Sequence, residues 1–208
     1  DLTALRAFLS GQRTRGTLDA RLDTEKQDTL LTWAARHGQA EAARLLLEAG
    51  ADVGAADVDD ASALLLACEK ECPECVQLLL HANAAVDQAD EGGFTPLFIM
   101  CEEGQLELAR LLLEAGAAIN QAQDNGTTPL LFASHKGHFE CAQLLLEAGA
   151  AVNHAHNNGA TPLYVACQFG HLECAQLLLG ASAAVNQVKG GGATPLFMAC
   201  QKGRLEIA

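Results

Sequence analysis

Apolar and polar positions follow each other along this chain with the spacing of short amphipathic helices that come in pairs. In the stretch 159–179, Thr161 supplies the side-chain oxygen of a helix N-cap, and Pro162 fits the first helical position, where no amide hydrogen is needed. Gly170 fits the left-handed residue that ends a helix. Apolar residues then recur on one helical face through 172–179. This pattern predicts a helix, a tight turn and a second helix.

The pattern returns every 33 residues. A Thr-Pro-Leu triplet or a weaker version of it opens the first helix of each copy, at Thr29, Ser62, Thr95, Thr128, Thr161 and Thr194. A fixed period of this length indicates a repeat array, in which each unit buries its apolar face by stacking on its neighbours. The predicted units are residues 24–56, 57–89, 90–122, 123–155, 156–188 and a truncated unit, 189–208.

Three motifs indicate the kind of repeat. They are Asp90 and Gly93 followed by Thr95-Pro96-Leu97, then Gly137-His138-Phe139-Glu140, and Gly50-Ala51-Asp52-Val53. In these motifs the units resemble ankyrin repeats, from about residue 24 to the end of the chain. The resemblance implies an all-α, ankyrin-type solenoid of stacked helix-turn-helix units with short β-hairpin fingers.

The chain departs from the family's pattern at one position in every copy. The histidine that follows Thr-Pro-Leu in the family is replaced here by Thr32, Leu65, Phe98, Leu131, Tyr164 and Phe197. In the family this histidine joins a polar network with the motif threonine. We expect apolar packing to replace the network, with Tyr164 and Phe197 packed in the vacated position.

Residues 1–23 are predicted to form a partial helical unit followed by a loop. Apolar residues with helical spacing come first, whereas the segment 12–27 is polar and carries Arg13 and Arg15. This segment is longer than the connections between later units, so we expect a mobile loop. Because the chain starts at Asp1 and stops within a second helix, we also expect it to be a fragment of a longer protein.

The formal net charge of the 208 residues is −13, and the acidic residues are concentrated in one stretch. Residues 52–103 contain twelve carboxylates and a single base, Lys70. This argues against a nucleic-acid partner, because phosphates are bound by lysine and arginine. It favours either a basic peptide or protein partner, or a charge that only promotes solubility. No apolar run reaches the roughly 18 residues of a membrane span, so no membrane insertion is expected.

Seven of the eight cysteines share two repeat positions. Cys68, Cys101, Cys167 and Cys200 occupy the first position, and Cys75, Cys141 and Cys174 occupy the second. Neighbouring helices lie roughly 8–10 Å apart, farther than the about 7 Å that a disulfide allows between Cα atoms. We therefore expect free, packed cysteines and an intracellular location, cytoplasmic or nuclear, where thiols stay reduced.

The sequence predicts neither a metal site nor a catalytic centre. Cys68, Cys72 and Cys75 have ligand-like spacing, but two of them belong to packed positions, and zinc normally needs four ligands. His138 and His171 open second helices, where we expect a local structural hydrogen bond. Because the sequence has no triad and no phosphate-binding loop, we expect no cofactor and no enzymatic activity.

The resemblance implies that partners bind a concave face formed by the fingers and by the two residues before the glycine that ends each first helix. The candidate partner-binding residues at these positions are Asp57, Asp59, Asp60, Glu69, Lys70, Asp90, Glu91, Phe94, Glu102, Glu103, His135, Lys136 and Phe169. Phe94 and Phe169 are apolar where solvent is expected. They are either interface anchors or packed side-on against their neighbours.

These features predict a non-catalytic protein–protein interaction module that presents a concave, acidic surface to a basic peptide or protein. An alternative is the substrate-recruiting arm of a larger enzyme, such as a ubiquitin ligase or methyltransferase. A purely architectural spacer, and an enzyme or metal protein, are further alternatives. The resemblance also implies a modification, because Asn120, Asn153 and Asn186 match a finger asparagine that is hydroxylated in some family members.

Overall fold

The computed structural model describes residues 2–11, 18–22, 24–204 and 206–207. Arg13, Arg15 and part of the predicted N-terminal loop therefore lie outside the described residues. The described part of the chain contains twelve helices in two compact units, Asp1–Pro96 and Leu97–Ala208. No strand occurs within the described ranges, so the predicted all-α repeat fold is confirmed.

The first unit stacks helices in pairs. Its helices are α1 (Leu2–Gly11), α2 (Leu30–Arg36), α3 (Ala40–Glu48), α4 (Ala63–Glu69) and α5 (Pro73–His81). Helix α2 packs against α4, the first helix of the next copy, and α3 packs against α5. Helix α1 contacts α3.

The second unit continues the same arrangement. Its helices are α6 (Pro96–Glu102), which starts at the last residue of the first unit, and then α7 (Leu106–Glu114), α8 (Pro129–Lys136), α9 (Phe139–Glu147), α10 (Pro162–Phe169), α11 (Leu172–Gly180) and α12 (Pro195–Gln201). First helices α8, α10 and α12 lie side by side, as do second helices α7, α9 and α11.

Capping residues set the ends of these helices as the sequence predicts. The Thr161 hydroxyl accepts the N–H of Tyr164 at 3.2 Å, and Gly170 ends α10 with a φ of 86°. The same N-cap bond is made by the residues that open four other first helices, Thr29, Ser62, Thr128 and Thr194. Short helices of this kind depend on caps, because each one has few internal hydrogen bonds.

One copy lacks the glycine that ends a first helix. Glu71 stands at that position and adopts a φ of 52°, in the left-handed region that residues with a Cβ rarely occupy. We expect Glu71→Gly to raise the free energy of unfolding by about 0.5–1 kcal/mol, because glycine removes the strain. Urea denaturation followed by far-UV circular dichroism measures the change.

A second residue provides the control for this substitution. Asn83 also has a positive φ, of 61°, but asparagine tolerates this conformation better than glutamate does. We therefore expect Asn83→Gly to have the smaller effect. An equal gain at both positions would mean that strain at Glu71 is not the cause.

Side chains that replace the family's histidine are buried in five of the six copies. Leu65, Phe98 and Tyr164 are at most 2% exposed, so the predicted apolar packing is found there. Thr32 differs, because its hydroxyl accepts the N–H of Thr29 at 2.8 Å in a capping box that keeps a polar contact. The prediction is wrong for Phe197, which is 55% exposed because no described helix packs on the far side of α12.

The fingers between helix pairs are turns rather than the predicted hairpin strands. A backbone hydrogen bond closes each turn, as in His156 N–H to Ala160 O at 2.9 Å. In the described residues only Ala56 and Ser62 form an isolated antiparallel bridge. Adjacent fingers are joined through the backbone, for example by Asn157 N–H to Asn125 O at 2.8 Å. The fingers thus stack without forming a sheet.

All eight cysteines lie in the described part of the chain and are free thiols. Six of them are buried, Cys72 is half-buried, and Cys200 is exposed, against the expectation that it packs. Burial raises the pKa of Cys68 to about 12 and that of Cys167 to about 11. The buried thiols are therefore protonated at neutral pH and serve as small core residues.

Candidate functional site

The finger of the second copy contains a buried carboxylate, Asp57, whose contacts are all with other residues of the chain that the structure describes. Asp57 is 3% exposed, and its Oδ1 accepts the N–H groups of Asp59 and Ala61, each at 2.9 Å. Arg36 forms an ion pair with Asp57 and a second one with buried Asp28, at 3.2 Å. The sequence predicted that Asp57 contacts a partner. Because Asp57 is buried, its carboxylate instead stabilises the turn of the finger through these hydrogen bonds.

The charge of this finger is smaller than the sequence count indicates. Lys26 forms an ion pair with Asp59, so two carboxylates of this finger, Asp57 and Asp59, have cations that come from outside residues 52–103. Hydrogen bonds to Asp28 and Asp57 outweigh the effect of burial and raise the pKa of Arg36 above its ordinary value. A count along the sequence missed both pairs because their partners are distant in sequence.

Several carboxylates of the first unit remain at the surface. Asp60, Glu69 and Glu91 are exposed and Asp90 is half-buried. Burial raises the pKa of Glu69, and the nearby charges of Asp90 and Asp57 raise it further, against an opposing effect of Arg36. Asp90 thus lies close enough to Glu69 for these two carboxylates to repel each other. We call Asp59, Asp60, Glu69, Asp90 and Glu91 the acidic surface.

Two other candidates border the acidic surface. Lys70 is exposed, and its aliphatic stem lies over Gly38, where an added Cβ would be 3.2 Å from Lys70 Cγ. Phe94 is half-buried, and its ring covers Gly92, where an added Cβ would be 2.8 Å from two ring atoms. The Phe94 N–H donates to Asp90 Oδ1 at 2.9 Å. The side-on alternative therefore describes the Phe94 ring.

In the second unit the candidate residues carry mixed charge. Glu102 Oε1 lies 3.7 Å from Lys136 Nζ, and Glu102 is half-buried, whereas Glu103 is exposed. Lys136 Nζ also lies 5.4 Å from the centroid of the Phe132 ring. This part of the array is therefore less acidic than the first unit.

Aromatic rings form a row along the first helices of the second unit. Ring centroids are separated by 5.2 Å from Phe98 to Phe132, 5.4 Å from Phe132 to His135 and 4.3 Å from His135 to Phe169. Phe169 stands edge-on to His135 and is 41% exposed. Phe169 therefore packs against a neighbouring ring and is at the same time exposed to solvent.

A groove of about 220 Å³ opens beside this row. Its lining includes Phe132, His135, His156, Phe169 and Lys189. None of the residues that line it is an aspartate or a glutamate. We call these five residues the aromatic–basic groove. His135 Nδ1 is buried there without a hydrogen-bond partner in the described chain. Burial lowers the pKa of His135, as do the charges of Lys136 and His171.

Sequence reasoning missed His156 and Lys189, although a signal was present. Both stand at the repeat position that carries Asp57 and Asp90 in earlier copies. Along the array this position changes from aspartate to glutamine, then to histidine and lysine, and that change is the signal.

His138 and His171 make structural hydrogen bonds, but these bonds are not local as predicted. His138 Nε2 donates to the Glu102 carbonyl at 2.8 Å, and His171 Nε2 donates to the His135 carbonyl at 2.9 Å. Each bond reaches back 36 residues to the end of the preceding first helix. Both histidines therefore fasten neighbouring copies together.

The three finger asparagines are exposed. Asn120 Oδ1 accepts the N–H of Ala151 at 2.8 Å, and Asn153 Oδ1 accepts the N–H of Ala184 at 2.7 Å. At least two of these carboxamides thus contribute to stacking of one finger on the next.

Neither a metal site nor a membrane-spanning helix is found among the described residues. No group of three or more histidine, cysteine, aspartate or glutamate side chains in the described ranges is arranged to hold a metal ion. Within the same ranges, no helix has the length and apolar character that crossing a membrane requires.

Comparison with known families agrees with the repeat geometry. A family model described as ankyrin repeats, in three copies, matches the chain in overlapping segments at residues 2–90, 33–123, 64–156, 97–189 and 151–208. Together these segments cover nearly all of the sequence. No curated protein matches the chain significantly.

Proposed function

Because the chain belongs to the ankyrin repeat family, whose members generally bind other proteins, we propose that its first unit binds a basic peptide or protein segment on the acidic surface. The observation that carries this proposal is the group of carboxylates around Glu69. Glu69 and Glu91 are exposed, and Asp90 lies close enough to Glu69 to raise its pKa, although burial raises that pKa more and Arg36 lowers it. An approaching lysine or arginine would relieve this repulsion.

Electrostatic steering is the main contribution we expect from the acidic surface. Single exposed ion pairs stabilise by only about 0–1 kcal/mol, so no one carboxylate decides the affinity. A field from several carboxylates of one sign accelerates association, and salt screens it. The backbone turns hold the fingers before binding, which limits the ordering that a partner must impose.

The remaining candidates have different parts in this proposal. Asp57 is omitted because it is buried, and Phe94 contributes only the exposed part of its ring. Glu102, Glu103, His135, Lys136 and Phe169 lie in the second unit, outside the acidic surface. We also propose that the chain has no catalytic role and works in an intracellular compartment, which its free, buried thiols favour.

Peptide binding to the full chain tests this function. Three fluorescein-labelled peptides of equal length would carry lysine, glutamine or glutamate at the same positions, and fluorescence anisotropy would report binding. We expect the lysine peptide to bind best to the acidic surface and to weaken as NaCl rises. Glu69→Lys with Glu91→Lys should weaken its binding roughly fivefold to tenfold, mainly through slower association.

A matched variant separates this effect from a change in net charge. Glu48→Lys with Glu74→Lys makes the same change on the second helices α3 and α5, where both side chains are exposed. We expect this control to bind the lysine peptide nearly as well as the unchanged chain does. Equal weakening by both double variants, or a lysine peptide that binds no better than the glutamine peptide, would refute the acidic surface as the binding site.

A further inference from the structure

We propose that the aromatic–basic groove of the second unit is a separate docking site for an acidic peptide segment. An apolar side chain of that segment would pack on Phe169, and a neighbouring carboxylate would meet Lys189 and His156. This inference does not rest on the acidic surface, because all the groove residues belong to the second unit.

The size and apolar wall of the groove suit a single side chain. Its volume is about 220 Å³, and Phe132 and Phe169 contribute aromatic surface on either side of His135. The contact between His135 and Phe169, at 4.3 Å between centroids, holds the Phe169 ring in place while it is 41% exposed. A rigid, exposed ring loses little freedom when it is covered, which is typical of interface anchors.

The charged residues at the groove favour a partner segment of negative charge. Lys189 Nζ lies 5.3 Å from the centroid of the Tyr164 ring and makes no ion pair with a described residue. Lys136 lies beside the groove, where Glu102 is its ion-pair partner. With cations at its edge and no carboxylate in its wall, the groove disfavours a basic side chain and favours an acidic one.

Polar groups in the groove offer hydrogen bonds to a carboxylate. His156 Nδ1 accepts the N–H of Asn158 at 3.0 Å, so in the neutral ring the proton is on Nε2, which is left to donate. His135 Nδ1 is buried without a partner, and unpaired buried polar atoms are unfavourable.

The repeat pattern supports the contrast between the two units. The position that opens each finger carries Asp57 and Asp90 in the first unit but His156 and Lys189 in the second. The same backbone geometry therefore presents carboxylates in one part of the array and, after neutral Gln123, a histidine and a lysine in the other. The three basic side chains of the groove, His135, His156 and Lys189, are too few to track a nucleic-acid backbone, which leaves an acidic peptide as the fitting partner.

The three labelled peptides also test the groove, with a leucine between the charged positions. We expect the glutamate peptide to bind the unsubstituted full chain about tenfold more tightly than the glutamine peptide does. Lys189→Glu should weaken the glutamate peptide at least about tenfold, and Phe169→Ala should weaken it by a similar factor. Thermal unfolding should change little for either variant, because Phe169 is exposed and Lys189 is half-buried.

Two variants outside the groove are the controls. Arg110→Glu changes charge by the same amount at an exposed arginine of the second helix α7, and Leu179→Ala removes an apolar side chain that is 47% exposed on α11. Both should leave binding of the glutamate peptide unchanged. The proposal is overturned if the glutamate peptide does not bind, if glutamine serves equally well, or if the controls weaken binding as much as Lys189→Glu. If Glu69→Lys with Glu91→Lys fails to weaken binding of the lysine peptide, the acidic surface is refuted, but the results expected for the glutamate peptide do not change.

Discussion

Replacement of Arg36 by leucine is expected to destabilise the first unit by about 3–5 kcal/mol. Arg36 is the cation that two buried carboxylates share. The side chains of Asp28 and Asp57 are only 4% and 1% exposed, and Arg36 contacts both. Without Arg36 these carboxylates would either remain charged in a poorly solvated site or take up protons, and both outcomes are unfavourable.

Fluorescence of the single tryptophan provides a local measurement of this effect. Trp33 lies in α2 one turn before Arg36, and its ring stacks on His37 with centroids 4.3 Å apart. Urea denaturation followed by Trp33 emission therefore reports on the first unit. We expect the unfolding midpoint to fall strongly for Arg36→Leu and to recover in part when Asp57→Asn is added, because one unpaired charge is then removed.

Arg44 is the matched control for Arg36. It also pairs with two carboxylates, Glu41 and Glu48, but all three side chains are well exposed. Such pairs contribute about 0–1 kcal/mol, so Arg44→Leu should shift the Trp33 midpoint only slightly. Similar shifts for the two arginine variants would show that burial of Asp28 and Asp57 does not make their pairing important.

Gly137→Ala is expected to destabilise the second unit by about 2–3 kcal/mol. Gly137 has a φ of +82°, and an added Cβ would lie 2.5 Å from His171 Nδ1. The substitution would therefore strain the backbone and displace the His171 ring from the His135 carbonyl. Hydrogen–deuterium exchange in α8 and α10 measures the loss of stability at the place where it arises.

Gly149 separates the two causes of this destabilisation. It has a φ of +95° with no atom within 4 Å of an added Cβ, so Gly149→Ala brings the backbone strain alone. We expect it to cost about 1–2 kcal/mol. In a His171→Ala background, Gly137→Ala should cost no more than Gly149→Ala, because the ring that it displaces is gone. A cost that His171→Ala leaves unchanged would contradict this explanation.

The sequence predicted the helices and their caps because those features depend on nearby residues. Thr161 and Gly170 act within a single helix, so local chemistry was sufficient to place both ends of α10. The stacked array followed from the period alone, since a unit of this size cannot bury its apolar face without neighbours. In the fingers, the predicted strands are replaced by turns that backbone hydrogen bonds close.

The candidate site was less predictable because it depends on the direction of side chains between copies. Lys26 reaches Asp59 across 33 residues, and His171 reaches the His135 carbonyl across 36. The period indicates which residues are neighbours, but not which atoms meet. Phe94 and Phe169 show the same limit, because one ring covers its own finger and the other stands beside His135.

The hydrogen bonds between fingers have a consequence for how this protein can diversify. The donors are the amides of Val58, Glu91, Asn157 and Gly190, four different residue types at one repeat position. Because these four bonds join backbone atoms, mutation can exchange the side chain of the donor residue without removing them, whereas the bonds made by the Asn120 and Asn153 side chains would be lost. Selection for new partners can thus change the side chains at the finger tips while the spacing between copies stays the same.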